Sequence, residues 1–194
     1  MSMLALPPAG RERPRNLMNV AMLLLVSGGL MLFGALIAAY AHVAQLTKPW
    51  PPASVKIDNY FGSMLSVTAI MSAFTIEWAV YAIKRNERRQ AFGAFGLSIG
   101  LALAFLNLLW FTGRKAGFGP GQSAFSVMYF AMLSAAGAVA IVGLVGMLVA
   151  LGRTIARQTG PGRTEVVRVV AWYWDFVVVA WIAVYATIWL FTNH

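Results

Sequence analysis

Two carboxylates interrupt otherwise apolar stretches of this chain: Glu77, in Thr75-Ile76-Glu77-Trp78-Ala79, and Asp175, in Tyr173-Trp174-Asp175-Phe176-Val177. In hydrocarbon an ionised carboxylate costs on the order of several kcal/mol unless it is paired, hydrated or protonated, so both must face protein or water. Such a pair could exchange protons or line an ion path. The simpler reading, which we weight above it, is two protonated or hydrogen-bonded carboxyls that fasten helices to each other or to a partner subunit. Other chemistry is thinly provided for. The chain has no cysteine, hence no disulfide, thiolate metal site or cysteine nucleophile. His42 and His194 are its whole imidazole content, which excludes a haem or copper centre built from several histidines of this chain but not a metal shared with a partner.

The elements that must position these groups follow from composition. Of 194 residues 60% are hydrophobic and 11% charged, with a mean hydropathy of +0.72, values outside the soluble range. A bilayer core about 30 Å thick takes roughly 20 residues of helix at about 1.5 Å each. Five runs reach that length, at about 19–43, 60–83, 91–111, 123–151 and 169–191. Between them lie clusters that stop helices and hydrate well: Lys48-Pro49-Trp50-Pro51-Pro52, Lys84 to Arg89, Gly113-Arg114-Lys115 through Gly121, and Arg157 through Arg163. The expected fold is all-α: a polytopic bundle of five transmembrane helices over 17–194, preceded by a flexible basic cytoplasmic arm at 1–16. Ala39-Tyr40-Ala41 is like a signal-peptidase site, but the first apolar stretch is too long for a signal peptide, so we read a retained span.

The positive-inside rule orients the bundle. With the N-terminus cytoplasmic, the inner segments hold Arg11, Arg13, Arg15, Lys84, Arg85, Arg88, Arg89, Arg153, Arg157, Arg163 and Arg168, whereas the outer ones hold only Lys48, Lys56, Arg114 and Lys115. An odd number of spans then puts the C-terminus outside. The net charge of +9 is explained by topology, and nucleic acid is not needed as a partner. Arg85, Arg88, Arg89, Arg153 and Arg157 become candidate contacts for anionic lipid headgroups at the inner leaflet. Glu77 lies seven residues before Lys84 and Asp175 seven after Arg168, so both are expected about 10 Å from the inner boundary.

Helices in lipid meet through small residues. The fourth run, with Ser134-Ala135-Ala136-Gly137-Ala138 followed by Ala140, Gly143 and Gly146, is expected in the interior, and Gly96-x-x-x-Gly100 predicts a contact face on the third. Tyr40, Trp50, Tyr60, Trp110, Trp172 and Trp189 read as interfacial belt residues. His42 reads as an interfacial histidine and Asn107 as an interhelical hydrogen-bonding residue.

Several segments, in order, resemble the cytochrome c oxidase subunit III family in its short five-helix, actinobacterial form. They are Ser27-Gly28-Gly29-Leu30-Met31-Leu32-Phe33, Trp50-Pro51-Pro52, Ser72-Ala73-Phe74-Thr75, Ser123-Ala124-Phe125-Ser126-Val127, and Trp172 to Val177 running on to Trp181-Ile182-Ala183. The departures are equally specific. Gly29 stands where the family usually has glutamate, Ala135-Ala136-Gly137-Ala138 where it has a His-Gly-x-His pair, Asn107-Leu108-Leu109-Trp110 where it has Gln-x-x-Glu, and Asp175 where it has histidine.

The resemblance implies an accessory integral subunit, not catalytic alone, with no catalytic, metal or cofactor-binding residue of its own. Haem and copper would belong to a partner subunit in a hetero-oligomeric complex with bound phospholipid, in a bacterial plasma membrane. Two alternatives are a subunit-III-like scaffold recruited to a different membrane complex and a small proton or ion channel using Glu77 and Asp175.

Overall fold

Proline, glycine and charge end the helices close to where hydropathy places them. The computed structural model describes residues 15–52, 55 and 59–192. Its elements in chain order are α1 (Arg15–Leu46), α2 (Asn59–Lys84), α3 (Arg88–Lys115), α4 (Ala124–Ile155) and α5 (Glu165–Thr192). All five are long and apolar enough to cross a membrane, and no strand occurs among the described residues. α1 and α3 overrun their apolar runs by about a turn at both ends, because ends such as Arg88 and Lys115 stay helical while their side chains reach water, whereas α2 matches its run to within a residue. Most of the expected basic arm, with Arg11 and Arg13, lies outside the described residues, as do Lys56, Asp58 and His194.

Local chemistry sets the turns. Ser123 caps α4 through a box in which its Oγ accepts from the Ser126 N–H while Ser126 Oγ accepts from the Ser123 N–H. At the opposite end of the bundle, α2 and α4 both stop on a residue in the left-handed region, Asn86 (φ 61°) and Arg157 (φ 56°). The Glu87 N–H then donates to the Ala82 carbonyl and the Gln158 N–H to the Arg153 carbonyl, each at 2.9 Å. This closure satisfies carbonyls that a helix end otherwise leaves open.

α5 is the centre of the bundle. It packs on α1, α2 and α4, while α4 packs on α1, α3 and α5; the most extensive pairing is the α2–α3 hairpin. α1 rests on α4 and α5 alone and, among the described residues, does not approach α2. Half of the apolar window of α5 is buried (50%), against 11% for α1.

α4, expected in the interior for its small residues, also meets three helices, but less of it is buried than of α5. Aromatic rings of α5 occupy the space that glycines on its three neighbours leave open. The Phe176 ring covers Gly29 on α1, the Tyr185 ring covers Gly62 on α2, and a Cβ on Gly143 of α4 would come within 2.7 Å of the Trp174 ring. Gly96 and Gly100, by contrast, have open space where a side chain would stand, so among the described residues the motif on α3 makes no helix contact. Tyr40 and Trp50 also depart from the belt reading. Tyr40 is fully buried, with its ring 5.2 Å from Trp50 and 6.2 Å from Phe125, so the Trp50-Pro51-Pro52 segment packs back onto the start of α4. Tyr60, Trp110, Trp172 and Trp189 are exposed, as belt residues must be.

Candidate functional site

Three serines of α2 meet three aromatic side chains of α5 in an antiparallel seam. Ser63 Oγ and Tyr185 Oη are 3.0 Å apart, the Trp181 indole N–H donates to Ser66 Oγ at 3.2 Å, and the Trp174 indole N–H donates to Ser72 Oγ at 2.8 Å. The Tyr173 hydroxyl reaches the Val139 carbonyl of α4 at 3.1 Å, and Ser98 Oγ lies 2.8 Å from Thr75 Oγ1, joining α3 to α2. Each bond satisfies a polar group that lipid could not.

The seam fixes the relative heights of the carboxylates. Because Trp174 bonds Ser72, Asp175 stands level with Ser72, and Glu77 lies five residues further along α2, about 7.5 Å nearer its C-terminal end. Asp175 is half-buried and Glu77 exposed at the surface of the chain. Asp175 belongs to the stripe of α5 that also carries Trp172, Val179 and Ile182, all exposed, and this stripe opens between α1 and α2 because those helices do not meet. Among the described residues neither acid forms a hydrogen bond to another side chain or an ion pair. They do not clasp α2 to α5 directly; they look out from one open face.

Most of the arginines gather at one end. The turn carrying Arg85, Arg88 and Arg89 adjoins the α4–α5 connection, where Arg88 shares a small cleft with Thr154, Thr159 and Gly160. Arg85 lies over the Tyr81 ring at 4.5 Å and Arg168 over Trp172 at 5.5 Å. Arg153 and Arg157 are exposed. His42 is exposed too, and Asn107 is exposed with no interhelical hydrogen bond, because α3 turns that face away from its neighbours. Among the described residues no group of three or more His, Asp or Glu side chains converges as a metal site would require.

Residues 13–193 match the family model described as cytochrome c oxidase subunit III. The chain belongs to the cytochrome c oxidase subunit III family. It is 28% identical over 187 residues to the probable cytochrome c oxidase subunit 3 of Mycobacterium tuberculosis strain H37Rv, covering 91% of this chain and 89% of that one. It is 28% identical over 153 residues to cytochrome c oxidase subunit 3 of the lancelet Branchiostoma lanceolatum and 31% identical over 150 residues to that of Gallus gallus. It spans 58% of the length of each of these two animal relatives, against 78% and 76% of itself. The mycobacterial match runs nearly end to end over both chains. Nothing in these likenesses supports a recruited scaffold or a free-standing channel.

One of the departures from the family pattern has a physical reason in the fold. At position 29 the volume that a side chain would enter is filled by the Phe176 ring, so the acid expected there cannot be restored without moving α5. The interior is held by ring-on-glycine packing and serine–indole hydrogen bonds. Sequence reading did not single out Ser63, Ser66 or Ser72 as seam residues; the signal available was hydroxyls recurring in an apolar helix opposite a Trp- and Tyr-rich one.

Proposed function

We propose that this chain is an accessory, non-catalytic membrane subunit of a haem–copper oxidase, docking on a catalytic subunit that holds the haem and copper. The observation that carries this reading is the family match over residues 13–193. In this reading the N-terminus, with its basic arm at 1–16, and the ends of α2 and α4 face the cytoplasm of a bacterial cell, in whose plasma membrane the complex sits.

The face between α1 and α2 is where the catalytic subunit or trapped water meets Glu77 and Asp175. Two intramembrane acids without side-chain hydrogen bonds or ion pairs among the described residues cannot face acyl tails while ionised, so what covers them must be polar at that height. Arg85, Arg88, Arg89, Arg153 and Arg157 hold anionic headgroups at the cytoplasmic leaflet, where each cation contributes about 1 kcal/mol.

The test is affinity purification of the tagged full-length chain from its native membrane. The expected result is a complex with haem absorbance and oxygen consumption, while the chain separated from it has neither. Recovery of a stoichiometric complex without haem would overturn the proposal.

A further inference from the structure

An open cavity of about 530 Å³ lies between α3 and α4, at the end of the bundle opposite the arginine-rich turns. Its volume falls within the roughly 300–1,000 Å³ of sites that enclose small molecules. Leu106, Leu109, Leu133, Gly137 and Ile141 form its depth, and Trp110 and Arg114 stand at its mouth. From Arg114 to Leu106 is eight residues of α3, about 12 Å, close to the ~15 Å half-thickness of a bilayer core. Inside, the one hydroxyl is that of Ser134, and it already donates to the Ala131 carbonyl at 2.9 Å. Nothing in the depth therefore selects for anything but hydrocarbon.

The mouth has the opposite character. Arg114 is exposed in the last turn of α3, its guanidinium 5.8 Å from the Trp110 ring centroid. Lys115 follows it, 5.5 Å from the Phe111 ring. No carboxylate pairs with either cation among the described residues. An apolar slot one leaflet deep with unneutralised cations at its mouth matches an amphiphile with a negative head and a long tail.

We propose that this cavity binds one acyl chain of an anionic phospholipid whose headgroup phosphate is held by Arg114. The site lies at the other end of the bundle from the arginines of the α2–α3 and α4–α5 connections. It does not depend on which subunit the chain docks against.

The experiment is native mass spectrometry of the full-length chain in detergent, titrated with dioleoyl phosphatidylglycerol or dioleoyl phosphatidylcholine. The expected result is one retained phosphatidylglycerol, bound about five- to tenfold more tightly than phosphatidylcholine, the scale of one interfacial cation. Arg114→Gln is expected to bring the two lipids to parity. Ser134→Phe, which fills the slot from an exposed position, is expected to weaken both, and Ile141→Phe repeats that test at the far end should Ser134→Phe fold poorly. A photoactivatable phosphatidylglycerol, added to native membranes before extraction, is expected to label Leu109 or Leu133. Equal binding of the two lipids by the unaltered chain, unchanged binding after both cavity-filling substitutions, or labelling of a partner subunit in place of these residues would overturn the proposal.

Discussion

The Trp174 indole N–H donates to Ser72 Oγ across 2.8 Å, and Ser72 Oγ in turn donates to the Ala69 carbonyl at 2.6 Å, all in the buried interior. One serine thus links the central helix to the backbone of α2 at the height of Asp175. Removing the hydroxyl leaves an indole N–H with no acceptor. Ser72→Ala is expected to destabilise the chain by about 1–2 kcal/mol, measured as earlier unfolding in a denaturing-detergent titration. Trp174→Phe in the Ser72→Ala background is expected to cost less than the two single effects added, since the orphaned donor is gone.

Glycines sort into two sets. Gly29→Ala and Gly143→Ala push a methyl into the rings of Phe176 and Trp174, and each is expected to cost about 1–3 kcal/mol by the same titration. Gly96→Ala and Gly100→Ala have open space and are expected to leave the isolated chain unchanged or stabilise it by up to about 1 kcal/mol through helix propensity. Loss of partner subunits on purification of the Gly96→Ala chain would place that face in the assembly.

Glu77→Gln with Asp175→Asn is expected to shift the stability of the isolated chain by no more than about 0.5 kcal/mol, because among the described residues neither carboxylate forms a side-chain hydrogen bond or an ion pair. In the assembled complex the same double variant is expected to loosen retention of this subunit, read as its yield after a salt and detergent wash. Equal retention would mean that the α1–α2 face is not the docking face.

Orientation is open to direct measurement, since the chain has no cysteine of its own. Gln158→Cys and Gln122→Cys lie on exposed connections at opposite ends of the bundle. An impermeant maleimide applied to intact cells is expected to label the second alone; labelling of the first would invert the topology.

The number of spans and their rough limits were legible because hydrocarbon thickness acts on every residue of a run at once, and 60% apolar content leaves few ways to divide the chain. Helix neighbours were not. Gly96 and Gly100 satisfy a contact motif as well as Gly29 and Gly143 do, and only the three-dimensional arrangement tells which glycine meets a ring. Tyr40 and Trp50 sit where a belt belongs by sequence position, yet the proline-rich turn folds them inward against Phe125. The carboxylates were legible as intramembrane acids, but the expectation of equal depth gave way to an offset. That offset is set by the pairing of Ser72 with Trp174, which hydropathy does not encode.

The isolation of α1 from α2 bears on how the protein is made. α2 and α3 can close as a hairpin as soon as both leave the ribosome, but the supports of α1 are α4 and α5, which are synthesised after both. The first helix must therefore wait in the bilayer, held by its own hydrophobicity, until α4 and α5 have been made. A nascent chain arrested after α3 leaves α1 unattached and open to quality-control proteases, so shortening from the C-terminus should register first as loss of the N-terminal helix.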